Sequence, residues 1–321
     1  MPANDNGDLL MSSTEDVYCF GGNPLDRASE RRNDRARVAG LLADPETRVL
    51  PVRDLKPFTR GKAAPALDWQ PVAPWRDHID TGATVIFLGL GEGHAHLAVD
   101  ATGASVAPDI DTELIDVRAL APAIAAGEAA ILAEARSLLD WHARHRFCAQ
   151  CGSPTTLASA GWLRRCPDCR ASHHPRTDPV VIMLAIRGER ALLGRNRRRA
   201  GARFSCLAGY VEPGETLEEA VRREVREEAG IRCGRTRYVA AQPWPFPSTL
   251  MIGFLAEALT EEITVDSEEI AEARWFSRDE IREMVARAAA GADDPAQVSL
   301  PAPIAIAHHI CRRWSSGLDD V

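Results

Sequence analysis

The sequence lacks any hydrophobic run of the roughly 18 residues that would cross a bilayer, so it predicts no membrane association. Residues 1–16 are polar and have no apolar signal core, and we expect a disordered leader there rather than an export signal. The chain also lacks an excess of basic residues. Its net charge of −8 excludes non-specific binding to polyanions by the protein as a whole. Together these absences predict a cytoplasmic protein that would contact nucleic acid only through a local basic patch.

The composition is that of a globular protein large enough for two domains. Apolar residues make up 45% and charged residues 26% of the 321 residues. We expect an N-terminal domain over 17–146, a cysteine-rich module over 147–175 and a C-terminal domain over 176–321. Short apolar runs predict that the first of these is α/β or mainly β, with a strand at 84–89. Helical spacing of apolar residues predicts a connecting helix at 119–146.

Eight cysteines in a chain without an export signal indicate metal binding or free thiols rather than disulfides. Two CxxC pairs are separated by fourteen residues, and each pair can turn two thiolates toward one ion. Four thiolates would close a tetrahedral Zn²⁺ site, so we predict a structural zinc ribbon. A redox dithiol is the alternative, and two matched pairs argue against it. The paired cysteines are Cys148, Cys151, Cys166 and Cys169, and we expect the isolated Cys19, Cys206, Cys233 and Cys311 to be small buried residues.

The most informative stretch is 209–231, GYVEPGETLEEAVRREVREEAGI. A turn-rich loop opens it, and good helix formers then continue to Gly230, a residue typical of helix C-termini. On this helix Glu224, Glu227 and Glu228 are three and four residues apart, so their carboxylates share one face. Such carboxylates repel one another unless a cation lies between them, and Mg²⁺ or Mn²⁺ suits oxygen ligands. The alternative is a solvated acidic face paired with neighbouring arginines.

Two further stretches lie on either side of this helix in the sequence. Segment 195–203 holds five arginines in nine residues. We interpret it first as a solvated hairpin loop and second as the best local candidate for an RNA contact. Segment 242–249, QPWPFPST, alternates three prolines with two aromatic residues, which holds the rings stiffly. Such rings suit a flat base or a nicotinamide, and the alternative is a rigid turn with Trp244 and Phe246 in the core.

The stretch 209–231 matches, at every fixed position, the signature of the Nudix hydrolases. With the four-cysteine ribbon upstream and QPWPFP downstream, the chain resembles the NADH pyrophosphatase family of these hydrolases. Segment 20–32, FGGNPLDRASERR, resembles the N-terminal part of that family, and we interpret its arginine cluster as a surface helix. The resemblance implies an α+β Nudix fold, a mixed sheet sandwiched by helices. It also implies cleavage of NADH or NAD⁺ to nicotinamide mononucleotide and AMP, a homodimer and, in some members, removal of the NAD cap from RNA.

The resemblance also implies roles for individual residues. Glu224, Glu228, Glu269 and the carbonyl of Ala208 would bind the Mg²⁺ or Mn²⁺. We expect Glu227 or Glu228 to accept the proton of the attacking water, and Arg223 to orient the glutamates. The implied substrate pocket comprises Tyr210, His174, Ala307, Gln242, Pro243, Trp244, Pro245, Phe246, Pro247, Ser248 and Thr249.

The chain departs from the family pattern at two pocket positions. Ala241 replaces the first serine of the motif, so the contact of that hydroxyl is in question. His174 replaces a tyrosine, so the pocket contact of the tyrosine ring is in question too. Two alternative functions remain open. One is a Nudix hydrolase of another nucleoside diphosphate derivative such as ADP-ribose. The other is a zinc-ribbon protein that binds nucleic acid and carries a degenerate hydrolase domain.

Overall fold

The computed structural model describes residues 18–106, 109, 111–198, 201–292, 297–318 and 321. The leader predicted for 1–16 lies outside these described residues. Within them the chain forms an N-terminal unit, a three-stranded ribbon and a C-terminal unit, each with its own sheet. None of the helices in the described ranges combines the length and the apolar character that a membrane crossing needs.

The N-terminal unit is built on a mixed sheet. In the described residues β1 is central, because it pairs in parallel with β6 and antiparallel with β2 and β4. The strand expected at 84–89 is confirmed within β5, and the α/β character of the unit is confirmed with it. The elements are α1 (Arg35–Ala43), β1 (Arg48–Arg53), β2 (Lys56–Arg60), β3 (Ala66–Leu67), β4 (Gln70–Pro71), α2 (Arg76–Asp80), β5 (Val85–Gly91), β6 (His94–Asp100), β7 (Glu113–Leu114), α3 (Val117–Leu120) and α4 (Ala126–Arg144).

The prediction of a connecting helix at 119–146 is wrong in one respect, because the structure has two helices there with a break between them. Helix α3 ends at Leu120, a 3-10 turn follows at Ala121–Ala123, and Ile124 is extended with ψ at 167°. Pro122 accounts for the break, since it has no N–H for a continuous helical ladder. Helix α4 then packs its apolar face against the sheet and leads into the ribbon.

The ribbon is an antiparallel sheet docked on the N-terminal unit. The indole Nε1 of Trp162 donates to the carbonyl of Phe87 at 2.7 Å. On the other side His142 of α4 is buried, with one ring nitrogen 2.7 Å from the Gly161 oxygen and the other 3.0 Å from the Arg164 guanidinium. Burial lowers the pKa of His142 to about 4, so this ring is a neutral structural link. The strands are β8 (Thr156–Ala158), β9 (Leu163–Arg165) and β10 (Ser172–His173).

The C-terminal unit is a six-stranded mixed sheet in the order β14-β15-β11-β12-β16, with β13 paired to β11, as far as the described residues go. Strand β11 contains the continuous apolar run 180–186 and pairs in parallel with β15. The elements are β11 (Asp178–Arg187), β12 (Arg190–Asn196), β13 (Leu207–Tyr210), α5 (Leu217–Ala229), β14 (Cys233–Trp244), β15 (Thr249–Ala258), β16 (Ile270–Ser277), α6 (Arg278–Ala289) and α7 (Ile306–Ser315).

Alternation along β11 divides the core of this unit into two layers. Val181 and Met183 point to the layer that contains α5. Ile182 and Leu184 point to the layer that contains α6 and α7. Successive strand residues face opposite sides of a sheet, so a continuous apolar strand can serve helices on both faces. The predicted sandwich of helices around a mixed sheet is confirmed.

The four cysteines outside the CxxC pairs fall into two groups. Cys206 and Cys311 are buried, as expected, with their Sγ atoms 3.8 Å apart. Cys19 and Cys233 are only half-buried. Desolvation nevertheless raises the pKa of both these thiols to about 11, which keeps them protonated and unreactive.

Segment 20–32 is not the surface helix that we expected. All of it is described, and its helical part is the single 3-10 turn Ser29–Arg31. The residue before this turn, Ala28, is left-handed with φ at 39°, which a helix cannot continue through. The Arg32 guanidinium lies 3.7 Å from the centre of the Trp162 ring, so this arginine packs on the ribbon, whereas Arg27 is exposed.

Candidate active site

The signature helix α5 begins and ends where its sequence predicts. Thr216 is the N-cap, and its side chain and that of Glu219 form a reciprocal capping box. At the other end Gly230 is left-handed with φ at 72° and closes the helix. The apolar side chains of Ala220 and Val221 are fully buried against the sheet. This packing directs the glutamates of the opposite flank toward β13.

Arg223 joins the signature loop to the signature helix. Its Nε and Nη2 donate to the two carboxylate oxygens of Glu215 at 2.6 and 2.8 Å. Its Nη1 donates to Glu224 at 2.7 Å and to Glu227 at 3.0 Å. Nη2 also donates to the carbonyl of Tyr210 at 2.9 Å. These contacts are the geometry expected of an orienting residue, and they hold the pKa of the Glu215 carboxyl at about 2.

Glu224 and Glu228 are buried, whereas the Glu227 side chain is 58% exposed. Oxygen Oε2 of Glu228 is buried without a hydrogen-bond partner. Burial, together with the charge of Glu224, raises the pKa of Glu228 to about 8, although a hydrogen bond from the Ala208 amide opposes the shift. Burial also raises the pKa of Glu224, against the hydrogen bond from Arg223. An unpartnered buried carboxylate oxygen beside a second carboxylate fits a hard divalent cation.

Glu269 lies in the turn before β16 and is exposed. It is close enough to raise the pKa of both Glu224 and Glu228 by charge repulsion, so the structure brings the three predicted carboxylates to one region. They are not tightly gathered. In the described part of the chain the four cysteines form a group whose ligand atoms are close enough to hold one ion, and these three carboxylates do not.

A cleft of about 650 Å³ opens beside Glu228. It runs between β12, β13, the end of β14 and the start of α7. Two basic side chains, Arg118 and Arg203, also line it. Of the predicted site residues, the structure places Ala208, Glu228, Gln242, Trp244 and Ala307 in its lining.

The other predicted pocket residues lie outside that lining. Tyr210, the last residue of β13, is 59% exposed, and His174 is exposed directly after β10. The members of segment 242–249 outside the lining form the tip and far side of one β-hairpin. They are Pro243, Pro245, Phe246, Pro247, Ser248 and Thr249.

The stiff segment 242–249 is therefore the tip of the hairpin β14–β15. Trp244 and Phe246 are half-buried, with ring centroids 5.3 Å apart in an edge-to-face arrangement. Both rings pack against the core of the N-terminal unit, and Trp244 also lines the cleft. The alternative of a rigid turn packed on a core therefore holds for both rings. Trp244 also forms a wall of the cleft, so its contact with a flat ring stays a prediction.

Gln242 has a fully used amide. Its Nε2 donates to the carbonyls of Cys19 and Ile304 at 3.0 and 2.8 Å, and its Oε1 accepts from the Ile306 amide at 2.8 Å. The side chain is completely buried. Gln242 therefore joins strand β14 to the segment at Cys19 and to the segment 304–306, and the sequence did not indicate this role.

The four paired cysteines form the second candidate centre. Their Sγ atoms all lie within 4.8 Å of one another, and Cys148 and Cys166 are buried. Four thiols at this spacing fit a tetrahedral Zn²⁺ ion. The Nε2 atom of His173 lies 3.3 Å from the Cys148 Sγ, where an N–H would stabilise a thiolate. The sequence places His173 only four residues after the last cysteine, and that spacing alone did not reveal the contact.

Arg118 is the cleft residue that the sequence missed most completely. It belongs to α3 of the N-terminal unit, is exposed, and lies 4.2 Å from the centre of the Phe246 ring. Its neighbours in sequence form an ordinary short helix capped by Asp116. No local pattern could predict that it reaches a cleft in the other unit.

Comparison with known families agrees with this architecture. The model described as "NUDIX domain" matches residues 175–297, and "NADH pyrophosphatase zinc ribbon domain" matches residues 143–173. The N-terminal unit matches "NADH pyrophosphatase-like rudimentary NUDIX domain" over residues 46–141. The fold and the signature thus define the class, a Nudix hydrolase. The N-terminal unit is a reduced version of the same domain, which its sequence alone did not indicate.

Several curated relatives cover much of the chain. Human "NAD-capped RNA hydrolase NUDT12" is 46% identical over 197 residues, which are 58% of this chain and 42% of that protein. "NAD-capped RNA hydrolase NudC" of Mycobacterium bovis is 41% identical over 235 residues, 72% of this chain and 75% of that protein. "Nudix hydrolase 19, chloroplastic" of Arabidopsis thaliana is 32% identical over 392 aligned positions, covering 98% and 90%. The chain belongs to the NADH pyrophosphatase family of Nudix hydrolases, and it spans less than half the length of the human relative.

Proposed function

We propose that the protein hydrolyses the pyrophosphate bond of NADH and NAD⁺, giving nicotinamide mononucleotide and AMP. The observation that carries the proposal is Glu228, whose buried, unpartnered carboxylate oxygen lies in the same cleft as the Trp244 wall. A site for a divalent cation and a flat aromatic wall within one cleft suit a substrate with a pyrophosphate and a ring. The names of the two NAD-capped RNA hydrolases above support the same substrate class.

In this proposal Glu224, Glu228, Glu269 and the Ala208 carbonyl hold Mg²⁺ or Mn²⁺. The ion supplies positive charge against the pyrophosphate and makes a bound water more acidic. Arg223 keeps Glu224 in place through its 2.7 Å contact. Either Glu227, whose exposed carboxylate can exchange protons with solvent, or Glu228 accepts the proton of the attacking water. Zn²⁺ stays in the ribbon as a structural ion.

The proposed pocket places the nicotinamide ring of the dinucleotide beside Trp244 and the backbone of Ala307. The rest of the hairpin tip, the exposed ring of Tyr210 and the exposed His174 complete it, and the protein is proposed to be a homodimer. In the cytoplasm the same site would also accept NAD-capped RNA. The reduced thiols of the zinc centre suit that compartment.

The arginine-rich loop 195–203 is the proposed contact for such an RNA. The Arg197 amide donates to the Glu269 carbonyl at 3.0 Å, and its Nη1 donates to the Ser267 carbonyl at 2.8 Å. The loop therefore borders the acidic turn, and Arg203 lines the cleft. Phosphodiester oxygens leaving the cleft on this side would meet guanidinium groups.

A product analysis tests the proposal. The purified protein is incubated with NADH, NAD⁺, ADP-ribose and NAD-capped RNA, with and without Mg²⁺ or Mn²⁺. From the free dinucleotides we expect nicotinamide mononucleotide and AMP, and from the capped RNA nicotinamide mononucleotide and an RNA that keeps its first adenosine with a 5′ monophosphate. Both reactions should occur only when the divalent ion is present. Faster turnover of ADP-ribose than of NADH would establish the second function instead. RNA binding without any metal-dependent turnover would establish a nucleic-acid-binding protein.

A further inference from the structure

We propose that residues 18–27, the N-terminal strap, position the Trp244 wall of the cleft, with Phe20 as the positioning residue. The strap contains the whole FGGNPLDR stretch (20–27), for which neither the signature nor the metal centre supplies a role. The inference rests on the proposed function, because its effect is on the ring-binding part of the dinucleotide site. It assigns Phe20 to the back of the wall, not to the chemistry.

Phe20 lies directly behind the aromatic wall. Its ring is 2% exposed, and it meets the Trp244 ring edge-to-face at a centroid distance of 5.8 Å and an angle of 81°. It also meets Phe246 at 6.0 Å and 73°. The three rings form one edge-to-face cluster, and only Trp244 among them lines the cleft. Removing Phe20 would therefore leave space behind Trp244 without touching the lining itself.

The strap is also bonded to the two segments that flank the wall. The Cys19 carbonyl accepts from the same Gln242 amide that bonds Ile304 and Ile306, which both line the cleft. The Tyr18 ring lies 4.9 Å from the ring of His309 on α7. The hairpin end and the start of α7 are thus held in register by one buried amide and by the strap together.

The other end of the strap is fixed to the N-terminal unit. Asp26 and Leu90 exchange backbone hydrogen bonds of 2.9 and 2.8 Å, which ties the strap to β5. A Cβ at Gly89 would lie 2.5 Å from the Asp26 carbonyl oxygen, so only glycine permits this approach. Glu134 of α4 holds the strap through Asn23 at 2.6 Å. The N-terminal unit therefore acts on the wall through a rigid connection.

If the strap positions the Trp244 wall, the loss of Phe20 should weaken only the binding of the nicotinamide ring. A Phe20→Ala variant should raise KM for NADH about tenfold, the size of one good aromatic contact, with kcat changed less than about twofold. ADP-ribose lacks the nicotinamide ring, so its kcat/KM should stay unchanged. Phe20→Leu, which refills most of the space, should restore much of the NADH affinity.

A matched control separates positioning from general destabilisation. Phe87 is also a buried aromatic residue of the N-terminal unit, at 1% exposure, and it packs in a different cluster. Phe87→Ala should lower the unfolding temperature without changing the ratio of KM values for NADH and ADP-ribose. Equal effects of the Phe20 and Phe87 variants on that ratio would overturn the proposal.

A second measurement is independent of activity. Amide hydrogen exchange of the peptides covering 242–249 and 304–307 should be at least about fivefold faster in Phe20→Ala than in wild type, and unchanged in Phe87→Ala. If Phe20→Ala does not fold, Phe20→Leu is compared in the same way, with a smaller increase expected. Unchanged exchange in these peptides would overturn the strap. Absent NADH turnover in the wild type would overturn the proposed function, and the exchange result would still decide for or against the strap.

Discussion

Gly209 lies directly against the carboxylate of Glu224. A Cβ placed on Gly209 would be 1.9 Å from the carboxyl carbon of Glu224, far inside any permitted contact. The first glycine of the signature is therefore explained by space for a carboxylate, and its φ is not in the left-handed region. The loop and the helix of the signature fit together at this one contact.

Replacing Gly209 with alanine should displace Glu224 and lower kcat for NADH by at least about tenfold, because a proposed ligand of the divalent ion moves. Steady-state kinetics at saturating Mg²⁺ would measure this. Gly40→Ala is the control, since a Cβ there meets nothing within 4 Å. Wild-type turnover in Gly209→Ala would show that Glu224 is not needed in its present position.

Glu228→Gln should reduce metal-dependent hydrolysis of NADH by at least about a hundredfold, because an amide cannot replace the carboxylate charge. The protein should remain folded and retain Zn²⁺, since burial of a neutral amide costs less than burial of a charge. Turnover, circular dichroism and metal content would be measured together. Glu218→Gln, an exposed residue of the same helix, should leave turnover unchanged.

Glu134 should make stability depend on pH. Burial raises its pKa from 4.5 to about 7, although Arg27, Arg32 and Asn23 favour the charged form. The folded protein then holds a proton that the unfolded chain has already lost, so the free energy of unfolding falls as pH rises from about 5 to about 7. The loss would reach roughly 3 kcal/mol.

Urea unfolding at several pH values would test this, with Glu134→Gln expected to flatten the profile between pH 5 and 7. Glu30→Gln is the control, because the Glu30 side chain is 70% exposed. An unchanged slope in Glu134→Gln would mean that another group dominates the titration.

Removal of Zn²⁺ should act on the fold and not on the chemistry. Cys166 is fully buried at the zinc centre, and the ribbon is docked on the N-terminal unit through Trp162. Cys166→Ala should lose bound zinc and unfold at a lower temperature, since zinc binding stabilises the folded ribbon. Cys233→Ala, outside the cluster, should keep its zinc. A zinc-free protein with unchanged unfolding would contradict a structural role.

The sequence predicted what depends on neighbours in the chain. Helix α5 follows from its run of good helix formers and the closing Gly230, and β5 follows from the apolar run at 84–89. The cysteine cluster follows from its spacing. The contacts that complete the cleft are of another kind. Phe20 and Trp244 are more than two hundred residues apart in sequence, and no local pattern connects them.

The sequence also could not show how a polar group is used. Gln242 sits in a segment whose composition suggests substrate contacts, yet its amide is taken up by three backbone groups. Arg118 is an ordinary helical residue until the two units are brought together. Burial and partnership are properties of the packed chain, so a motif can indicate the region of a site without assigning each atom.

The contact of Cys19 and Phe20 with the hairpin limits which fragments of the protein can keep the cleft intact. A fragment containing only the ribbon and the C-terminal unit would keep the acidic helix but expose the backs of Trp244 and Phe246 to water. In that fragment Gln242 would also lose the Cys19 carbonyl, one of its three hydrogen-bond partners. The smallest fragment that preserves the Trp244 wall must therefore include Cys19 and Phe20, close to the start of the described chain. The C-terminal unit cannot be separated from the N-terminal strap without changing the cleft.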